Sequence, residues 1–213
     1  MKKNILELHS EILDTKRGKI LKDLKPFSNQ GILAGGTALS LQIAHRKSYD
    51  FDLFVDNPVR KNLLRKVIKV FGNGIKLMID MADELTFLTP SQVKISFVYF
   101  PFKHLYPVLE TETLSIRHWE DIASDKTYVI GRRGEYRDYV DLFFCLQKRV
   151  ALKKIIQDAK RKFMGAFSEK LFLSQLVYFD DLKDFTVDFI GKKHSPKEIQ
   201  SFLEKAVSNY AKF

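Results

Sequence analysis

The sequence predicts an α+β fold: a mixed sheet with flanking helices, followed by a C-terminal helical bundle. Three observations carry this expectation. Up to Pro107, short runs rich in β-branched and aromatic residues alternate with amphipathic stretches. Beyond Pro107, apart from a short run at residues 114–116, the apolar positions recur at helical spacing. Hydrophobic residues make up 45% of the 213-residue chain and 18 are phenylalanine, so a sizeable core can be buried.

Taken in order, Ile5, Leu6, Leu8, Ile12, Leu13, Ile20 and Leu21 predict an amphipathic helix over residues 4–22, which Pro26 and Ser28-Asn29-Gln30 break. Ile32-Leu33-Ala34 reads as a buried strand entering a glycine turn. Thr37 is placed to cap a helix over residues 38–44. A strand is predicted over residues 49–54. Asn57-Pro58 then starts a basic helix running to Phe71, with Asn57 as cap and Pro58 at the first helical position. Three strands follow at residues 75–79, 85–88 and 93–100. Helices are predicted over residues 118–130, 136–149, 151–159, 169–179 and 196–210. The domain expectation is 1–147 for the α/β part with its site motifs and 148–213 for the helical part.

Charge and composition exclude several classes. The formal net charge is +10, spread over both halves of the chain, which suits a polyanionic partner or nucleotide phosphates as well as simple solubility. The single cysteine, Cys145, lies in the apolar run Leu142-Phe143-Phe144-Cys145-Leu146. It excludes an internal disulfide and reads as a buried small hydrophobe. The N-terminal stretch carries Glu7, Glu11 and Asp14, unlike a signal-peptide core, and no apolar run approaches the roughly 20 residues needed to span a bilayer. A cytoplasmic protein without membrane contact is expected.

Asp50 and Asp52 are the most informative residues. Side chains two apart on a strand share a face, so both carboxylates point one way while Phe51 and Leu53 point into the core. Two such acids repel unless a cation sits between them. Hard oxygen ligands with open coordination positions suit Mg²⁺, or Mn²⁺, which also takes phosphate oxygens. Upstream, Gly35-Gly36-Thr37 lets backbone N–H groups approach a triphosphate, and the N-terminus of the following helix favours an anion. Either motif alone fits a plain surface acid pair or a plain strand–helix turn. Together they describe a phosphate cradle beside a metal.

The segment from Leu33 to Phe54 contains Gly35-Gly36-Thr37-Ala38-Leu39, then His45-Arg46, then Ser48-Tyr49-Asp50-Phe51-Asp52-Leu53. It resembles the AbiEii/AbiGii-type toxin nucleotidyltransferases of abortive-infection and type IV toxin–antitoxin systems. A second match pairs the helix ending in Lys126 with Arg133-Gly134-Glu135-Tyr136-Arg137-Asp138-Tyr139-Val140-Asp141. The resemblance implies a minimal nucleotidyltransferase fold and transfer of a nucleoside monophosphate from an NTP to an acceptor hydroxyl. tRNA is implied as an acceptor and a cognate antitoxin as a partner.

It further implies that Asp50 and Asp52 hold metal, and that Gly35, Gly36, Thr37, Arg46, Ser48, Arg137 and Asp138 line the nucleotide. Lys126 would neutralise triphosphate charge, and Asp141 would act as acid/base or orient Lys126. Arg137 and Asp138 equally suit a helix start in which they cap and pair locally. One departure stands out: Ser96 lies where related enzymes carry a third strand carboxylate, and the other nearby acid is Asp80. Two rival readings share these residues. One is transfer to a protein or small molecule. The other is a catalytically silent nucleotide- or RNA-binding module.

Overall fold

The computed structural model describes residues 8–148 and 150–212. Its contacts divide the chain into two compact units: residues 1–102 with 107–118, and residues 103–106 with 119–213. Packing therefore divides the chain after His118, ahead of the boundary expected near Gln147.

The first unit is built on a five-stranded mixed sheet in the order β1-β2-β5-β4-β3. The strands are β1 (Ile32–Ala34), β2 (Phe51–Val55), β3 (Lys76–Asp80), β4 (Glu84–Leu88) and β5 (Lys94–Tyr99). β2 runs parallel to β5, and the other neighbours are antiparallel. Alternation works as the sequence predicts: Phe51, Leu53 and Val55 are buried, as are Ile95 and Phe97 on β5 and Leu85 and Phe87 on β4. Helix α3 (Lys61–Phe71) helps cover this face with Leu63, Val67 and Phe71. Phe27 joins them, 6.3 Å from the ring of Phe71 and 5.2 Å from that of Phe97, and Phe71 lies 5.6 Å from Phe87. The outer side of β1 is closed by residues 115–117. Leu33 N donates to Ser115 O at 2.9 Å, and Arg117 N to Leu33 O at 2.8 Å.

Three sequence expectations shift in this unit. The first helix is shorter and later than residues 4–22. Residues 4–7 lie outside the described residues, Ser10–Ile12 forms one 3-10 turn, and α1 runs Thr15–Asp23. Asp14 causes the break, because its side chain accepts from Arg17 N at 2.8 Å and caps a new helix. Helix α2 (Gly35–Ile43) starts at the glycines themselves, with Ala34 at the cap position and no side-chain cap, so Thr37 lies inside the helix. α3 begins at Lys61 and not at Pro58. Val59 N donates to Ala82 O at 2.7 Å, which keeps the chain out of the helix past Pro58.

The second unit is helical: α4 (Trp119–Arg133), α5 (Tyr136–Lys148), α6 (Leu152–Phe163), α7 (Glu169–Leu176) and α8 (Pro196–Tyr210). α4 packs against α5, α6 and α7, and α8 against α5, α6 and α7. α8 starts where predicted because Ser195 and Glu198 form a reciprocal capping box ahead of Pro196. Phe163, Phe172 and Phe179 are core residues, and Cys145 is buried, its thiol pushed up by desolvation. Among the described residues no helix is long and apolar enough to cross a membrane.

Buried charge ties α4 to α6. Lys162 Nζ lies 2.7 Å from Asp121 Oδ1 and 2.8 Å from Asp125 Oδ1, and the Lys162 and Asp121 side chains are both fully buried. Leu105 N and Tyr106 N each donate to Asp121 at 2.9 Å. The basic stretch at residues 153–162 is largely spent on such pairs: Lys154 with Asp158, Lys160 with Glu169, and Lys162 within the core. Burial alone would push the Asp121 carboxyl up. The Lys162 ammonium and the two backbone donors outweigh it and hold the carboxyl below the usual carboxylate range.

Lys162→Met is expected to lower unfolding stability by about 3–5 kcal/mol, because it strands two carboxylates without a counter-charge. Urea titration measures this, and a loss below 1 kcal/mol would contradict it. A depressed folded pKa stabilises above the ordinary carboxylate value, and that stability disappears as pH falls through the folded value. Wild-type stability should therefore fall on acidification through this range. In Lys162→Met the Asp121 contribution should change sign, since protonation then relieves a buried charge.

Candidate active site

β2 delivers the carboxylates by register. Antiparallel pairing with β1 puts Asp52 opposite Ala34, the residue just before α2. The start of α2 and Asp52 then meet at close quarters. A Cβ on Gly35 would stand 2.6 Å from Asp52 Oδ2, and the Gly35 backbone has φ +65°, a left-handed conformation that favours glycine. Gly36 is held just as tightly: a Cβ there would lie 2.5 Å from a terminal guanidinium nitrogen of Arg46 and 3.1 Å from Ser48 Oγ. Thr37 Oγ1 donates to the backbone carbonyl of Asp50. The sequence candidates Gly35, Gly36, Thr37, Arg46, Ser48, Asp50 and Asp52 thus converge on one place in the first unit.

The local chemistry suits both an anion and a cation. The first turn of α2 presents backbone N–H groups with no side-chain cap, and its positive dipole end lies beside Asp52. Arg46 is nearly buried, and one of its terminal nitrogens donates to Lys47 O at 3.0 Å, which fixes its guanidinium against Gly36. Asp50 and Asp52 flank the buried Phe51. The two acids supply hard oxygens. Mg²⁺ sites in phosphoryl-transfer enzymes use one or two carboxylates and complete the shell with phosphate oxygens and water. Among the described residues no cluster of three or more His, Cys, Asp or Glu could hold an ion by itself. The donor set therefore fits an ion that shares its shell with a triphosphate, and the absence of a Cβ at Gly35 is what lets the Asp52 carboxylate sit against the start of α2.

One feature of this half, Lys94, escaped the sequence reading, and another, Ser96, was singled out there and is placed by the sheet. Lys94, at the start of β5, places Nζ 3.0 Å from Asp50 Oδ2. Ser96 is the direct strand partner of Asp52, so the position of the expected third carboxylate is a hydroxyl. Ser96 Oγ shares a 2.9 Å hydrogen bond with Thr86 Oγ1, which also donates to Glu84 Oε1 at 2.6 Å. The alternation Val93-Lys94-Ile95-Ser96 puts Lys94 and Ser96 on one face. Which acids they face follows only from the β2–β5 register.

The second unit holds the other candidates. Lys126 Nζ is gripped by Asp138 Oδ1 at 2.6 Å and Asp141 Oδ2 at 2.7 Å. The Asp141 side chain is fully buried, whereas that of Lys126 keeps 10% exposure. Asp138 has a second task, since its Oδ2 accepts from Glu135 N at 2.9 Å and organises the start of α5. Both of its oxygens are thereby engaged in local structure. Arg137 is half-exposed and pairs with Glu135 at 2.7 Å. Lys126, Asp138 and Asp141 come together, and Arg137 points toward solvent beside them.

Comparison with known proteins gives a family for nearly the whole chain. Residues 19–211 match a protein-family model described as nucleotidyl transferase AbiEii toxin, type IV toxin–antitoxin system. A curated protein of Aquifex aeolicus (strain VF5), aq_aa25, is 30% identical over 192 residues, covering 85% of this chain and 88% of that protein. Among solved structures, JHP933 from Helicobacter pylori superposes with a TM-score of 0.54 at 19% identity, covering 96% of this chain and 94% of that one. MenT4, the nucleotidyltransferase toxin Rv2826c of Mycobacterium tuberculosis H37Rv, gives a TM-score of 0.54 at 12% identity, over 92% and 82% of the two chains. The sheet order, the glycine start of α2 with the facing Asp52 and the near full-length family match lead to one conclusion: the chain belongs to the AbiEii family of nucleotidyl transferase toxins.

Proposed function

We propose that this nucleotidyltransferase moves a nucleoside monophosphate from an NTP to a hydroxyl of tRNA, with Mg²⁺ or Mn²⁺ held by Asp50 and Asp52. The observation that supports the reading is the close approach of the Asp52 carboxylate to the start of α2, where a Cβ on Gly35 would stand 2.6 Å from Oδ2. In the reaction the acceptor oxygen bonds to the α-phosphorus. The bond from that phosphorus to the bridging oxygen breaks, pyrophosphate leaves with the electron pair, and the hydroxyl proton is lost to water. Bound at the two aspartates, the metal would supply charge neutralisation for the triphosphate oxygens.

The chain's own residues do the rest. N–H groups of Gly35, Gly36 and Thr37 hold phosphate oxygens at the positive end of α2. Arg46 and Ser48 orient the same phosphates, and an arginine fork suits two oxygens at once. Lys126 is assigned to the charge that grows on the pyrophosphate. Asp141, buried against Lys126, is assigned as the residue that positions it, and Asp138 helps fix the same ammonium. Arg137 is assigned to the nucleotide or acceptor. As a functional unit the nucleotidyltransferase domain would then run through residue 147, because α4 and α5 carry these residues, with residues 148–213 as the helical extension. NTP and tRNA as substrates imply action in the cytoplasm, and membership of a toxin–antitoxin family supports a separately encoded antitoxin as its regulatory partner.

Incubation with labelled NTPs, Mg²⁺ and a mixed pool of tRNA and protein tests the reading. Label on tRNA is expected, and label on protein alone would redirect the acceptor. Asp52→Asn should lower transfer by at least about a thousandfold while leaving the unfolding midpoint near that of wild type. Gly35→Ala should weaken NTP binding and also cost more than about 1 kcal/mol of stability, since alanine meets both the left-handed backbone and the carboxylate. Unchanged NTP affinity in Gly35→Ala would contradict the shared site.

A further inference from the structure

Asp50 has a partner set by the sheet itself. Parallel pairing puts Phe51 beside Ile95 and Asp52 beside Ser96. The same register carried back one residue puts Asp50 beside Lys94, and their side chains form the 3.0 Å ion pair. Lys94 is the first residue of β5, so the ammonium is presented from a strand and not from a loop. Both side chains remain about one-third exposed, 37% for Lys94 and 30% for Asp50, so the pair stays open to a ligand.

The charges of this patch differ from those of a site built for two divalent ions. Such sites place two ions roughly 3.5–4 Å apart and surround them with anionic ligands. Here the residue beside Asp52 is a neutral serine, joined to Thr86 and through it to Glu84. The residue beside Asp50 is a cation. Asp50, Asp52, Lys94 and Ser96 together carry one net negative charge, which matches one divalent ion brought in with a polyanionic nucleotide and leaves little to hold a second.

We propose that Lys94 is a fixed cation of the nucleotide site: its ammonium takes at Asp50 the place that a second divalent ion would take, so that the site loads one metal ion per bound nucleotide. The inference rests on the metal-dependent reading of Asp50 and Asp52. A lysine on a strand cannot dissociate, so this half of the charge neutralisation is independent of metal concentration. In the nucleotide-free protein the same ammonium competes with a metal ion for Asp50. Metal uptake is therefore tied to the arrival of the triphosphate, whose oxygens complete the shell and draw Lys94 toward phosphate.

Titration of the full chain with Mn²⁺, followed by the electron paramagnetic resonance of the free ion, tests this directly. The nucleotide probe is an equimolar set of the four α,β-methylene NTPs. Wild type should take up Mn²⁺ poorly alone and one ion per bound nucleotide with the analogues. Lys94→Met should bind Mn²⁺ without nucleotide roughly tenfold more tightly, the gain being limited by solvent screening of a half-open pair. Lys94→Gln provides a second neutral variant with a polar side chain should the methionine disturb folding. Lys94→Arg should keep one ion per nucleotide. Two ions per nucleotide in wild type, or Mn²⁺ affinities of both neutral variants within twofold of wild type, would overturn the proposal. If wild type and variants bind the α,β-methylene NTPs yet take up no Mn²⁺ under any condition, the metal-dependent reading itself fails and this inference falls with it.

Discussion

One close approach governs the first unit: the carboxylate of Asp52 fills the space that a Cβ at residue 35 would need. Several otherwise separate features follow from it. α2 has to begin with a glycine in a left-handed conformation. Ala34 has to lie opposite Asp52 in the β1–β2 ladder, because a slip of one residue would turn the carboxylate to the hydrophobic face. Thr37 then reaches the carbonyl of Asp50 and ties the strand's entry to the same helical turn. Gly36 repeats the arrangement with Arg46 in place of the acid. The glycine start of α2 and the acids are therefore built as one unit, with the carboxylate at the positive end of the helix.

The sequence was informative where periodicity and local chemistry agree. Alternation in Phe51-Asp52-Leu53 predicts both the core face and the acid face, and both are found. The capping pair at Ser195 and Glu198 fixes the start of α8 to the residue. It was less informative where a distant partner decides. Thr37 has the chemistry of a cap, but a carbonyl brought in by another strand claims its hydroxyl. Pro58 is suited to a helix start, but a bond from Val59 to Ala82 keeps the chain out of the helix there. Asp14 has the chemistry of a cap and acts as one, inside a stretch that looked continuously helical because its apolar spacing runs on past the break. Lys94 is the same lesson at the site. Nothing in its neighbours announces an ion pair with Asp50, which exists only because β2 and β5 are parallel and in this register.

The second unit uses one chemical device twice around α4, and the two copies differ in what surrounds them. In both copies a lysine ammonium sits between two carboxylates: Lys162 between Asp121 and Asp125, and Lys126 between Asp138 and Asp141. Replacing a buried ionic cluster by apolar residues is often neutral or stabilising, so neither copy is explained by stability alone. In the first, Lys162 and Asp121 are fully enclosed and Asp121 accepts backbone donors from residues 105 and 106, which makes it a register device that fixes α4 against α6 and the incoming chain. The second buries Asp141 completely but leaves part of Lys126 accessible. A lysine on a flexible four-carbon stem loses considerable rotamer freedom when it is held still. Holding it with two acids settles that cost during folding. In the proposed reaction, an ammonium already fixed in place would meet developing negative charge without further ordering, the condition under which electrostatic stabilisation contributes most to phosphoryl transfer.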